Sequence, residues 1–428
     1  MTNYKWLTNQ LLKEYFKVKE TIAIVVGGGP APGINGAISA ATIEAIKKGK
    51  KVIGIVGGFK SLFAGDKKKA IELTFDNVSK IHITGGSILR TSRDFPEKAK
   101  ERFRVLISTL KSLKTRYLIT IGGEGTLYMA RWIEKEAKGS IAVVHVPKTI
   151  DNDLPMPGGI PTFGYETARH WGVEIVENIL EDARATGRWY FVTTMGRYTG
   201  HLALGMGKAS GATVTLIPEE FKEETLSFKK VADILEGSII KRLSIGKDYG
   251  VAILAEGIAN KFDPEELMRH ECVEKDETGR VRLSEIQLGR VMKMLVNKSL
   301  ESRGIKVTIV DKNIGYELRA ANPIPFDAEY TRNLGYGAVR FLLMGGTGSM
   351  IVFYEGKLKS VPFCEMFEPE TGKPKMRYVD IASEPYLVGR EYMVRLEKED
   401  FKAENIRKIA ASANMRVEEF KKRFLYIV

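Results

Sequence analysis

The chain has 428 residues, 44% of them hydrophobic and 28% charged, with 66 basic and 53 acidic side chains and a formal net charge of +13. This is enough for two ordinary domains with a sizeable core. No apolar run reaches the roughly 18 residues of a membrane span. The stretch from Met1 to Glu20 lacks the apolar core of a signal peptide, and Cys272 and Cys364 form neither a disulfide framework nor a zinc spacing, so a cytoplasmic location is expected.

The lysines are scattered, as at Lys47-Lys48, Lys50-Lys51, Lys67 to Lys69 and Lys421-Lys422. Nucleic-acid binding needs a concentrated basic stripe, ideally interleaved with aromatics, and none is present. A basic surface does attract anionic small molecules, phosphates first among them.

In chain order, Thr21 to Val26 is an apolar, β-branched run ending in Gly27-Gly28-Gly29, followed by a helical stretch from Gly33 to Lys47. Strands are predicted at Val52 to Val56, Tyr117 to Ile121, Ile141 to Val146 and Tyr190 to Thr194. Such runs, apolar throughout and separated by helices, indicate parallel strands buried on both faces. Tyr249 to Ala255 and Lys306 to Val310 extend the pattern into a second α/β unit starting near residue 165. Met350 to Tyr354 is a further strand, and Phe401 to Phe424 reads as one helix with a packing or interface role.

Ligands of parallel sheets gather at the carboxyl ends of the strands, and the glycine clusters lie there. The stretch Gly27-Gly28-Gly29-Pro30-Ala31-Pro32-Gly33-Ile34-Asn35 joins a strand to a helix N-terminus, a combination suited to phosphate. It is neither a P-loop nor a clean dinucleotide fingerprint. A tight strand-to-helix turn would need the same glycines. Gly122-Gly123-Glu124-Gly125-Thr126 adds a carboxylate able to reach magnesium, although a Glu at a helix start also complements the helix dipole.

Pro147-Lys148-Thr149-Ile150-Asp151-Asn152-Asp153 places two carboxylates two residues apart, pointing the same way if the loop is extended. One could take a hydroxyl proton while Lys148 stabilises a moving phosphoryl group. An Asx-rich turn is the plainer reading. Two neighbouring glycine-rich strand ends favour catalysis. Met195-Gly196-Arg197 and Gly315-Tyr316-Glu317-Leu318-Arg319 suit a sugar phosphate, with Arg188 and Glu256 as outlying candidates. His145, His170 and His201 form no ligand spacing, and His145 fits a core position.

Together with GGSILRTSR at Gly85 to Arg93 and AEG at Ala255 to Gly257, these motifs resemble the phosphofructokinase family over roughly residues 20 to 355. The resemblance implies two Rossmann-like three-layer α/β domains with mainly parallel sheets. These are a donor-binding domain from 1–164 plus about 318–368, a fructose-6-phosphate domain from 165–317, and a helical extension from 369–428. It implies Mg2+ and a phosphoryl donor, ATP or diphosphate. Asp151 would be the general base, with Asp153, Lys148 and Arg197 completing the catalytic set.

Gly28, Gly29, Arg93, Asp94, Gly123, Glu124, Gly125 and Thr126 would hold the donor, with Glu124 on the metal. Thr149, Ile150, Asp151, Met195 to Arg197, Glu256 and Tyr316 to Arg319 would bind fructose 6-phosphate. Arg188 matches an arginine that in the family reaches the sugar phosphate across a subunit interface, which implies a homodimer or homotetramer.

Pyrophosphate-using members typically carry Asp at the position of Gly125 and Lys at that of Lys148, whereas ATP-using bacterial members have Gly at both. GGSILRTSR and GYELR resemble the pyrophosphate-using branch and Lys148 is compatible with either donor, but Gly125 leaves the nucleotide path open, so ATP is the expected donor and pyrophosphate the alternative. The helix after Asn35 carries no basic residue through Ile43, which predicts no ADP or phosphoenolpyruvate regulation. NAD and lipid kinases share a GG-acid-G-T loop but not PKTIDND with MGR. A silent sugar-phosphate-binding subunit should have lost Asp151, Asp153, Gly123 or Gly125, and all four are present.

Overall fold

The computed structural model describes residues 20–93, 100–263 and 287–428; Asp94 and Cys272 lie outside them. Among the described residues there are strands β1 (Thr21–Val26), β2 (Lys51–Ile55), β3 (Ala70–Glu72), β4 (Thr115–Gly122), β5 (Ala142–Thr149), β6 (Phe163–Gly164), β7 (Arg188–Thr194), β8 (Val214–Leu216), β9 (Gly250–Ala255), β10 (Thr308–Ile314), β11 (Ser349–Tyr354) and β12 (Lys357–Pro362). They divide into two units. The first comprises Met1–Thr149, Met156–Phe163 and Asn322–Lys375; the second comprises Ile150–Pro155, Gly164–Ala321 and Met376–Val428. No described helix is long and apolar enough to cross a membrane.

The first unit is built on a sheet of order β12-β11-β5-β4-β1-β2-β3, with β6 on β5. All six residues of β1 are buried and it pairs in parallel with both β2 and β4, as expected for a central strand covered on both faces. The sheet edges are antiparallel: β3 on β2 and β12 on β11. Glu355 and Gly356 both have positive φ, 52° and 70°, which is what a two-residue hairpin turn matching strand twist requires. The edge strand β12 is mostly exposed and bears Lys357 and Lys359, charges that discourage pairing with another chain.

Helices Ile34–Lys47 and Pro325–Leu343 cover one face with backbones in close approach. A Cβ at Gly36 would lie 2.3 Å from Thr331 Oγ1, and one at Gly335 would lie 2.4 Å from the Ala37 carbonyl. The small residues after Asn35 therefore serve helix packing.

The second unit has a four-stranded sheet of order β10-β7-β9-β8, parallel throughout. Strand β10 runs from Thr308 to Ile314, displaced from the predicted Lys306 to Val310. Its polar Asp311, Lys312 and Asn313 are tolerated because it is an edge strand, and Lys293 pairs with Asp311 at 2.9 Å.

The single helix predicted over Phe401 to Phe424 is broken into Ala403–Ser412 and Val417–Phe424. Asn414 adopts φ 51° and its side chain donates to the Arg303 carbonyl at 2.8 Å, which ends the first helix. Ile406, Ile409, Phe420 and Phe424 enter the core of the second unit. Arg423 donates to Glu236 at 2.7 Å and Ser299 at 2.6 Å. The C-terminal helices are thus an integral layer of that unit.

Candidate active site

The donor-side candidates converge within the first unit. The Gly28 amide donates to the Ser92 carbonyl at 2.8 Å, and Thr91 Oγ1 donates to the Gly28 carbonyl. This seats exposed Arg93 beside the Gly27 to Gly29 turn. Asn35, 2% exposed, holds the same segment: its amide donates to Thr84 Oγ1 at 3.0 Å and Gly85 O at 3.1 Å, and its Oδ1 accepts from Ile88 N at 2.9 Å. The motif at Gly85 to Arg93 and the one at Gly27 to Asn35 are therefore one hydrogen-bonded structure.

Strand β5 continues through Pro147 and Lys148 to Thr149, beyond the predicted end at Val146, because Gly122 remains in register with Pro147. Lys148 is consequently a strand residue, 4% exposed, and its Nζ donates to the Gly29 carbonyl at 2.5 Å. A Cβ on Gly28 would lie 3.2 Å from that Nζ. Residues 119 positions apart in the chain thus place a cation against the glycine turn. Upstream on β5, His145 is fully buried and burial pushes its imidazole down to about 3, so it is neutral, with Nδ1 2.9 Å from Thr120 Oγ1. This is the core position expected for it.

Gly123 caps the helix Glu124–Ala137, which brings Glu124 and Gly125, both half-buried, to the end of β4. Thr126 is 1% exposed and fills the space between two glycines. A Cβ on Gly27 would lie 2.3 Å from Thr126 Oγ1; one on Gly122 would lie 2.1 Å from the same oxygen and 2.3 Å from Thr126 Cβ. We expect Gly27→Ala to cost about 1–3 kcal/mol of stability. Adding Thr126→Ala removes the clashing oxygen and should recover most of the loss. The same addition should leave Gly122→Ala unrescued, because the β-carbon contact remains. Thermal unfolding of the four variants reads both outcomes.

The chain passes into the second unit between Thr149 and Ile150. Asp151 is half-buried, and Asn152 and Asp153 are 7% and 6% exposed. The loop is not extended: Asn152 has φ 58°. This left-handed residue breaks the strand-like alternation from which parallel carboxylates were predicted. Thr199 Oγ1 donates to the Asp151 carbonyl at 3.1 Å.

Glu256, at the end of β9, accepts from the Gly196 amide at 3.4 Å. Burial, and next the nearby charge of Asp151, push its carboxyl above the usual range, while the Gly196 amide, Arg319 and Arg197 pull it back. Asp151, Arg197 and Arg319 therefore each lie within electrostatic reach of Glu256 in this unit. Gly196 has φ 136°, and a Cβ on Gly257 would lie 2.8 Å from the Gly196 carbonyl, so both glycines are needed for the close approach of these loops.

Tyr316 is 79% exposed at the end of β10, and Glu317 Oε2 accepts from the Gly315 amide at 3.1 Å. Ile150 and Leu318 are buried at 4% and 0%, packing positions whose side chains face the interior. Arg188 stands apart. It opens β7, whose far end leads into Met195, about 20 Å away at the usual rise per strand residue. Within one copy of the chain the structure does not bring Arg188 to the loops that hold Asp151 and Glu256.

Among the described residues no three His, Cys, Asp or Glu side chains converge on a cation. Glu124 is instead a single carboxylate at a helix start. That fits magnesium held by one carboxylate and mainly by phosphate oxygens, its common mode in phosphoryl-transfer sites.

The family profile described as phosphofructokinase matches residues 21–342. The chain is 53% identical over 411 residues to a pyrophosphate–fructose 6-phosphate 1-phosphotransferase of Thermotoga maritima, covering 95% of this chain and 98% of that one. It is 46% identical to a protein of the same name from Naegleria fowleri, over 95% and 96% of the two chains. An ATP-dependent 6-phosphofructokinase of Mycobacterium tuberculosis is 30% identical, over 85% and 98%.

The fold matches a solved pyrophosphate-dependent phosphofructokinase of Nitrosospira multiformis, with a TM-score of 0.65 at 17% identity over 93% of each chain. The matches at 53% and 46% do not support the expected preference for ATP. The profile over most of the chain and the near-full-length relatives establish that this chain belongs to the phosphofructokinase family.

Proposed function

We propose that this protein transfers a phosphoryl group from pyrophosphate to O1 of fructose 6-phosphate, giving fructose 1,6-bisphosphate and orthophosphate. The observation that carries the proposal is the match over nearly the whole chain, at 53% and 46% identity, to two proteins bearing that name. The buried Lys148 against the Gly29 carbonyl supports it, because a fixed cation at the glycine turn suits a compact, highly charged donor.

In this reading Gly28, Gly29, Arg93 and the Gly123 to Thr126 turn bind the donor. Glu124 would hold magnesium together with the donor's phosphates, where the ion when bound neutralises phosphate charge. Asp151 takes the proton of the O1 hydroxyl as O1 bonds to phosphorus and the bridging P–O bond breaks. Asp153 supports that carboxylate. Glu256 accepts a hydrogen bond from a sugar hydroxyl, and Arg197, Arg319 and Tyr316 bind the sugar phosphate. Arg188, remote from these groups in its own chain, acts on the sugar phosphate of a neighbouring copy, which makes the functional form a homo-oligomer.

ATP is a second reading, favoured by Gly125, whose missing side chain leaves room beside the helix start. A coupled assay with fructose 6-phosphate, comparing pyrophosphate and ATP at matched magnesium, separates the two. The proposal expects kcat/KM to be at least tenfold higher with pyrophosphate. Turnover with ATP alone would replace it by the second reading.

A further inference from the structure

We infer that Arg377 is a positioning residue for the general base, acting through the backbone of the Asp151 to Asp153 loop. The inference rests on the proposed role of Asp151. Arg377 lies outside the family match, which ends at residue 342, in a segment whose function the sequence left open.

The geometry is specific. The Arg377 amide donates to the Asp153 carbonyl at 2.7 Å, and its Nε donates to the Asn152 carbonyl at 2.9 Å. Its Nη2 donates to Asn152 Oδ1. With Thr199 on the Asp151 carbonyl, three successive carbonyls of the loop are held. The guanidinium fork grips both the carbonyl and the side chain of the one loop residue in the left-handed conformation, Asn152 at φ 58°. That conformation is costly for most residues and persists where its surroundings enforce it.

The segment carrying Arg377 is itself anchored beside the substrate loops. His201 Nε2 lies 3.2 Å from the Arg377 carbonyl, and burial pushes His201 down to about 4. The ring is therefore neutral near pH 7, and a carbonyl partner requires the hydrogen on Nε2. Two residues on, the Val379 amide donates to Glu219 Oε1 at 3.0 Å, and the same oxygen accepts from the Gly200 amide at 2.9 Å. Gly200 and His201 follow Met195 to Arg197 after only Tyr198 and Thr199. One strap, Arg377 to Val379, thus ties the loop of the base to the start of the helix that follows the sugar-phosphate loop.

Catalysis by a positioned base is sensitive to displacement, and an error of about 1 Å can cost on the order of 10²-fold. We expect Arg377→Ala to lower kcat about 10²-fold with the KM for fructose 6-phosphate changed less than about threefold. Arg377→Lys can restore one bond but not the fork, and should recover about tenfold of that loss. Added guanidinium should partly rescue Arg377→Ala, an effect that lost folding would not show. Asn152→Gly keeps the positive φ while removing Oδ1. If Arg377 acts through Asn152, the double variant loses no more kcat than Arg377→Ala alone.

A wild-type kcat in Arg377→Ala, a loss confined to KM, or additive losses in the double variant overturns the inference. Should Arg377→Ala fail to fold, Arg377→Lys decides: kcat reduced at unchanged KM supports it, and an unchanged kcat overturns it. Asp151→Asn serves as the reference. An inactive Asp151→Asn beside a fully active Arg377→Ala removes only this inference, whereas an active Asp151→Asn removes the reading of the base on which it rests.

Discussion

Asp151→Asn is expected to lower kcat by about 10²–10⁴, the usual worth of a general base, with little change in fructose 6-phosphate affinity. Asparagine keeps the shape of the side chain and leaves the Asp151 carbonyl free to accept from Thr199. It cannot take up the O1 proton. Steady-state kcat, paired with calorimetric binding of fructose 6-phosphate, separates these effects. Retention of wild-type turnover would sink the assignment. Glu256 supplies an independent readout. Its carboxyl is raised by burial and then by the charge of Asp151, so in Asp151→Asn it should ionise at lower pH, which carbon-detected NMR of the carboxyl can follow.

Lys148→Met should reduce kcat/KM for pyrophosphate by about 10²–10³, the range seen when one preorganised electrostatic donor is removed. Methionine fills much of the volume of a residue only 4% exposed but carries no charge and leaves the Gly29 carbonyl without this donor. Lys148→Arg should not restore activity. A planar guanidinium cannot occupy the space of an ammonium whose Nζ would stand 3.2 Å from a Cβ at Gly28. The fructose 6-phosphate dissociation constant, measured without donor, should stay within about threefold, because Lys148 contacts the glycine turn proposed to hold the donor. An unchanged kcat/KM for pyrophosphate would show that this cation serves structure alone.

The parallel strands were legible because they are buried on both faces. TIAIVV at Thr21 to Val26 leaves no alternative to a central strand, and the observed bounds are those predicted. The short strands β3, β6 and β8 and the hairpin strand β12 were not legible, and the edge strand β10 was legible only with displaced bounds. Lys357–Pro362 is largely exposed, so no burial pattern marks it, and only Glu355-Gly356 hints at the hairpin. The break in the C-terminal helix was hidden for a related reason. Asn414 is compatible with a helix until Arg303 presents a carbonyl to its side chain.

The donor expectation found no support, for a different reason. It weighed the space left by Gly125, a steric argument that permits a nucleotide without requiring one. The relatives at 53% and 46% identity match 95% of the chain and bear names that specify pyrophosphate.

By itself, the sequence determined the parallel α/β architecture, the glycine-bearing strand ends and the candidate chemistry of Asp151 and Lys148, because hydrophobic period, glycine and charge act over a few residues. Tertiary structure alone decided that Lys148 sits against Gly29, that Asn152 is left-handed, that Arg188 stands a strand length from Met195, and that Arg377 reaches back to Asn152. These relations join residues as many as 225 positions apart. A single arginine or lysine carries no local signal of its partner until folding has fixed both backbones.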